Sequence, residues 1–183
     1  MKGKIIMGET SVIYKSKYGS TKKYAQWIAE SLDAELLEES QVSAEKLSEY
    51  NTIIYGGGLY ASGISGISVI TKNFDRIKDK NIIVFTVGLN TTEDKSVFEP
   101  IIKKNIPEYM RNSIKFFHLR GGMDYSKLNF MHKSMMAMMK KAVEKKQIKT
   151  DEDMHMLETY GGIVDFKDPK TIEPLINYVN GLK

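Results

Sequence analysis

The chain has 183 residues, 27 Lys and Arg against 23 Asp and Glu, a net charge of +4 and no cysteine. That length suits one domain with a full core. The composition rules out disulfides, thiolate chemistry and cysteine-rich metal sites. The three histidines, His118, His132 and His155, have no zinc-motif spacing, so no metal site is expected.

The mild basic excess accompanies no nucleic-acid-binding motif, so no nucleic-acid partner is expected. No apolar run approaches the length of a membrane span, and the lack of cysteine fits a reducing cytoplasm. Residues 1–9, MKGKIIMGE, read as a short extension or an alternative start. Residues 10–183 read as a single domain with an insert at about 125–156.

TSVIYK (10–15) is a short β-rich run, and STKKYAQWIAESL (20–32) is helical, with Tyr24, Trp27, Ile28 and Leu32 at near-helical spacing. AELLEES (34–40) is an edge-strand candidate. NTIIYGGG (51–58) is a strand running into glycines, and GISVITKNFDRI (66–77) reads as a helix. NIIVFTVG (81–88) is a buried strand. Residues 94–110 are helical, with Pro107 ending or kinking the helix. SIKFFHLRGG (113–122) is a fifth strand. The closing helix spans 168–182, with Asp168 as N-cap, Pro169 at its first position and Gly181 near its end. Alternating strands and helices predict an α/β domain with a mainly parallel sheet.

Ligands of such sheets bind outside the carboxyl ends of the strands. The loops there are SKYGST, GGGLYASGISG, GLNTTED and RGGMDYSK, rich in Gly, Ser, Thr and Tyr. The first opens into the helix at Ser20, whose free N–H groups and dipole favour an anion by roughly 0.3–1 kcal/mol. Ser16, Ser20 and Thr21 could therefore bind a phosphate without a lysine. The competing reading is structural, with Ser20 or Thr21 capping the helix and Gly19 serving the turn. No P-loop or G-x-G-x-x-G is present.

Together these loops resemble the flavodoxin family, whose first loop, [ST]-x-[ST]-G-x-[ST], binds the phosphate of flavin mononucleotide (FMN). SKYGST departs at Tyr18. The set is most similar to the menaquinone-dependent protoporphyrinogen dehydrogenases and their flavodoxin-domain relatives. The carriers of that similarity are Tyr60-Ala61-Ser62-Gly63, VGLNTTEDKS, and GGMDYSKLNFMHKSMMAMMKK after the fifth strand. The resemblance covers the chain from Ser11 onward. It implies a doubly wound five-stranded parallel sheet in the order 2-1-3-4-5, helices on both faces, and FMN as cofactor. It implies that Ser16, Lys17, Tyr18, Gly19, Ser20 and Thr21 surround the phosphate. Leu59 and Tyr60 would lie at the isoalloxazine ring, with Ala61, Ser62 and Gly63 presenting backbone to its edge. Leu89, Asn90 and Thr91 would line the ring or ribityl chain, and Gly121, Gly122, Met123 and Asp124 would close the other side.

SKLNFMHKSMMAMMKKAVEKKQIK (126–149) is helical in propensity. Leu128, Met131, Met135, Met138 and Ala142 form one seam, with Met136, Met139 and Val143 beside it. A packed helix and a recognition surface are equally good readings, since methionine suits both. The recognition reading places this apolar face outside the four cofactor loops. It takes a quinone or other small-molecule acceptor, a tetrapyrrole, a redox partner protein, or a peripheral contact with an anionic membrane. Two functions remain open: an FMN-dependent oxidoreductase delivering electrons to a quinone or similar acceptor, and a carrier cycling FMN between partner proteins. A scaffold that has lost FMN is a third. No side-chain acid or base stands out as catalytic.

Overall fold

The computed structural model describes residues 10–92 and 95–182. The expected extension, and Asp94 as a helix start, lie outside the described residues. The chain runs β1 (Thr10–Lys15), α1 (Ser20–Leu32), β2 (Glu35–Glu38), α2 (Ala44–Ser48), β3 (Thr52–Tyr60) and β4 (Gly63–Ile64). It continues through α3 (Ser68–Thr71), α4 (Phe74–Ile77), β5 (Asn81–Gly88), α5 (Glu99–Asn105), α6 (Glu108–Arg111) and β6 (Ile114–Arg120). Then follow β7 (Gly122–Asp124), α7 (Phe130–Glu144), α8 (Asp151–Thr159), β8 (Ile163–Asp165) and α9 (Glu173–Asn180).

The parallel strands lie in the order β2-β1-β3-β5-β6. Counted without the short hairpin strand β4, this is the expected 2-1-3-4-5. Side chains alternate across the sheet. Ile13, Ile53, Tyr55 and Val84 face one core layer with Leu47, Phe74, Ile77, Ile101 and Met110. Val12, Ile54, Ile83 and Phe85 face the other with Tyr24, Ile28, Leu175 and Val179. The centres of β3 and β5 are buried on both faces, as the inner strands of a parallel sheet must be. Gly56 of β3 sits against the Phe85 ring so closely that a Cβ would overlap it. Tyr24 ties the end of the chain to the sheet. Its hydroxyl donates to the Arg120 carbonyl at 2.8 Å and accepts from the Asp168 N–H at 3.2 Å.

Several elements differ from the sequence reading. Residues 66–77 form two single-turn helices, α3 and α4, interrupted at Lys72–Asn73. The β-branched run Ile67–Val69–Ile70 supports one turn against the sheet but not a long helix. Pro107 separates α5 from α6, and α2 was not anticipated. The fifth strand stops at Arg120, and Gly122–Asp124 pairs with Ile163–Asp165 in a separate antiparallel sheet. The insert is therefore two helices, α7 and α8, on a β-stem. The closing helix begins as a 3₁₀ turn at Pro169–Ile172, with the Asp168 carboxylate accepting from the Lys170 N–H. Among the described residues no helix is long and apolar enough to cross a membrane.

Candidate cofactor site

A cavity of about 370 Å³ opens at the carboxyl ends of β1, β3, β5 and β6, a volume in the range of ligand pockets. One end is polar. Gly19, at φ +96°, is the N-cap of α1, and no side chain caps that helix. The capping alternative for Ser20 and Thr21 is therefore not what the fold uses. Ser16 Oγ accepts from the Gly19 N–H at 3.1 Å, which curls the loop. Ser20 Oγ accepts from the Gly122 N–H at 3.1 Å and lies 3.3 Å from its carbonyl, joining this loop to β7. Thr21 is buried at the cavity wall.

β3 continues past the sheet as a hairpin, with Leu59 paired to Ile64 and Tyr60 to Gly63. The two turn residues, Ala61 and Ser62, have φ of 48° and 62°. Tight hairpins of this kind favour Asn and Gly for that reason, so a firm clamp is required. α5 supplies it. Asn105 Nδ2 donates to the Ser62 carbonyl, its Oδ1 accepts from the Ile64 N–H, and Lys104 Nζ donates to the Ala61 carbonyl at 2.9 Å. The loop after β5 is held by Arg120, whose Nε donates to the Leu89 carbonyl at 2.7 Å. Glu152 of α8 accepts from the Thr91 N–H at 2.7 Å.

Thirteen of the eighteen residues implied by the loops line the cavity: Ser16, Tyr18, Ser20, Thr21, Leu59, Tyr60, Ala61, Ser62, Leu89, Asn90, Gly121, Gly122 and Met123. The other five do not. The Lys17 ammonium lies 5.7 Å from the Tyr18 ring centre. Gly19 shapes the loop, and Gly63 serves the hairpin. Thr91 turns to Glu152, and Asp124 caps the next turn through the Ser126 N–H. The Ser126 hydroxyl and Lys127 beside Asp124 hold its carboxyl below the usual range.

The fourth wall comes from the insert. Leu128, His132, Met135, Met136 and Met139 face the cavity. This corrects the seam read from sequence: Met131 and Met138 point to solvent, 60% and 63% exposed. It also corrects the placement of the apolar face outside the cofactor loops. His132 was missed altogether. Its ring stacks on Tyr60 with centroids 5.0 Å apart and planes 7° apart, and its Nδ1 is 2.7 Å from the Tyr18 hydroxyl. A Cβ on Gly58 would meet the Tyr60 ring at 2.9 Å. Tyr60 thus lies between its own strand and His132, rather than offering an open face to a ligand. Burial pushes the Tyr60 phenol up, and burial with Lys17 nearby pushes the His132 imidazole down.

The site fits a phosphorylated, flat cofactor. Among the described residues the lining includes no Asp or Glu to repel a phosphate, and the uncapped α1 N-terminus offers free N–H groups beside hydroxyls. An anion site at the mouth of a doubly wound sheet defines a mononucleotide-binding α/β protein. The family model described as Flavodoxin domain matches residues 11–151, and the chain belongs to the flavodoxin-domain family. FMN is its cofactor.

Similar solved structures include a flavodoxin, WrbA-like protein from Agrobacterium tumefaciens. It is 16% identical, covering 96% of this chain and 99% of that one, with a TM-score of 0.47. A flavodoxin from the domain Archaea is 13% identical over 84% of this chain and 93% of that one, with a TM-score of 0.41. The two-electron reduced flavodoxin of Megasphaera elsdenii is 12% identical over 60% and 82%, with a TM-score of 0.44. No curated protein matches the sequence.

Proposed function

We propose that the protein is an FMN-dependent oxidoreductase that passes electrons from a reduced substrate to a quinone or similar flat acceptor. The resemblance in the loops makes a porphyrinogen one candidate for the reduced substrate. One observation carries this reading. A single cavity runs from the hydroxyls of Ser16 and Thr21 to the methionine wall of Met135, Met136 and Met139. A carrier that only meets other proteins has no need of such a wall.

Bound FMN supplies reversible electron transfer at its ring. The chain's own groups do the rest. The first-turn N–H groups of α1, with Ser16 and Thr21, would bind the phosphate. The clamped backbone at Ala61 and Ser62 would face the ring edge. Asn90 and the Gly121–Met123 segment would border the ring and ribityl chain. Leu59, Leu128 and the methionines exclude water, which strengthens every polar contact in the site. Methionine side chains adapt to flat ligands of different outline, which suits a site serving a donor and an acceptor in turn.

The outer face of the insert belongs to the same reading. Phe130, Met131, Met138 and Ile148 are exposed beside Lys141, Lys145 and Lys149, a pattern that suits an anionic lipid surface, where apolar quinones reside.

Purified protein should be yellow, bind FMN one to one and reduce soluble quinones under steady-state conditions with a porphyrinogen donor. Ser16→Glu should abolish FMN binding by placing a carboxylate against the phosphate while the fold melts normally. FMN binding without turnover on any quinone would favour the carrier reading. Unchanged FMN affinity in Ser16→Glu would remove the phosphate assignment.

A further inference from the structure

α7 is held mainly at its two ends, with Lys133 and Lys140 lying over the Tyr125 and Tyr160 rings between them. Among its own residues only Val143 is buried, near the C-terminal end. Just beyond, Lys146 Nζ reaches both carboxylate oxygens of Asp153 at 2.8 and 2.9 Å, joining the turn after α7 to α8. At the other end Leu128 is buried, and Asn129 caps the helix by accepting from the His132 N–H at 2.9 Å. Between these ends Met135, Met136 and Met139 face the cavity. Where the methionine wall stands is therefore set by its anchors.

The N-terminal anchor is Tyr18. Its hydroxyl meets His132 Nδ1 at 2.7 Å and accepts from the Asn129 N–H at 3.4 Å. Its ring meets those of Tyr60 and His132 edge-on, with centroids 6.1 and 5.6 Å away. Tyr18 is also the centre of the loop that runs from Ser16 to the start of α1. One residue thus belongs to both the phosphate end of the cavity and the attachment of its far wall.

We propose that Tyr18 is the positioning residue of the insert. The Tyr18–His132 hydrogen bond fastens the methionine wall to the phosphate loop, so filling that loop and seating the wall are linked. The proposal rests on the reading that this loop takes the FMN phosphate. An anion bound between Ser16 and the α1 N-terminus restrains the loop backbone, which restrains Tyr18 and through it Asn129 and His132. Linkage is reciprocal. The factor by which a bound phosphate favours the seated wall is the factor by which the seated wall favours the phosphate. With one hydrogen bond as the coupling element, that factor is roughly two- to twelvefold.

The test is limited trypsin digestion of the full chain, following cleavage at Lys133, Lys140 and Lys141, alone, with inorganic phosphate and with FMN. FMN affinity is measured in parallel by flavin fluorescence. In the unaltered protein FMN should slow cleavage in the insert, and inorganic phosphate alone should slow it by about two- to twelvefold. Tyr18→Phe and His132→Leu should erase the phosphate effect and weaken FMN binding by a matching factor. His132 lies outside the phosphate loop, so His132→Leu separates coupling from direct phosphate contact. His132→Asn, whose side-chain oxygen stands near the place of Nδ1, should restore protection, which a purely space-filling role would not predict. If FMN binds but neither ligand protects the insert, or His132→Leu keeps full protection, the linkage is wrong and the cofactor reading stands. If the unaltered protein takes up no FMN, both fall.

Discussion

Asn105 grips Ser62 from outside the turn that Ser62 helps to form. Its amide donates to the Ser62 carbonyl at 2.7 Å while its oxygen accepts from the Ile64 N–H at 2.9 Å. Two non-glycine residues are thereby kept at positive φ where the β3 hairpin meets the cavity. Asn105→Ala removes both bonds and a third from the same amide to the Ile101 carbonyl. FMN affinity should fall about tenfold and stability by about 1.5–4 kcal/mol, consistent with losing three net hydrogen bonds. Fluorescence titration and denaturant melts measure the two effects. A stability loss with unchanged FMN affinity would mean that the turn does not shape the site.

Gly56→Ala should destabilise by about 1–3 kcal/mol, since the new methyl group overlaps the Phe85 ring in a core without slack. The double variant Gly56→Ala with Phe85→Leu should recover part of that loss. Urea unfolding of the unaltered protein, Gly56→Ala, Phe85→Leu and the double variant forms a cycle. Additive losses would show that the two side chains do not compete for the same space.

His118 gives the fold a pH dependence. It stacks on Phe98 at 3.7 Å, its Nδ1 is 2.6 Å from the Thr86 hydroxyl, and burial pushes its imidazole down to about 4. The unfolded chain binds the proton near the ordinary value of about 6.5. Between those values the unfolded state holds more protons, so stability rises with pH. The contribution is complete above about 6.5 and is lost as the pH falls towards 4. Melting temperatures between pH 4 and 7 should therefore drop at the acid end, and His118→Asn should flatten that part of the profile. An equally steep profile in the variant would assign the effect to carboxylates.

The outer face of α7 should bind vesicles containing anionic lipid and ignore neutral ones. Phe130, 89% exposed at the start of the helix, is the residue best placed to insert. Phe130→Ser should lower vesicle binding about tenfold, the scale expected for withdrawing a buried aromatic group from the bilayer interface. FMN affinity should not change. Equal flotation with neutral and anionic vesicles would argue against a lysine-assisted contact.

The sheet was legible because β3, β5 and β6 are runs of β-branched and aromatic residues leading into glycines, and the order of loops placed the site. The hairpin was not, because Ala61-Ser62 lacks the Asn-Gly signal that marks such turns. The helix after it was overread, since Ile67 to Ile70 carries an apolar pattern of both helix and strand. The insert's inner face was read only in part, for a definite reason. Its methionines allow two stripes of near-helical spacing. The seam chosen from sequence ran through Leu128, Met131, Met135 and Met138 with Met136 and Met139 beside it, whereas the fold keeps Leu128, Met135, Met136 and Met139 inward, adds His132, and turns Met131 and Met138 to solvent. His132, left out of both stripes, is the residue that would have broken the tie. Only tertiary structure could bring it to Tyr18, 114 positions away.

The β7–β8 stem sets how this architecture tolerates change. Gly122 pairs with Asp165, Met123 with Val164 and Asp124 with Ile163, so the chain leaves and re-enters the body across the last rung of one antiparallel ladder. Everything from Tyr125 to Gly162 hangs beyond that ladder, while the link back to the parallel sheet, from the Phe166 N–H to the Gly121 carbonyl at 3.0 Å, lies below it. The stem works as a socket. A tight turn joining Asp124 to Ile163 would close it without displacing a sheet strand, and a different helical cassette grafted onto the same rung would give the cavity a new fourth wall.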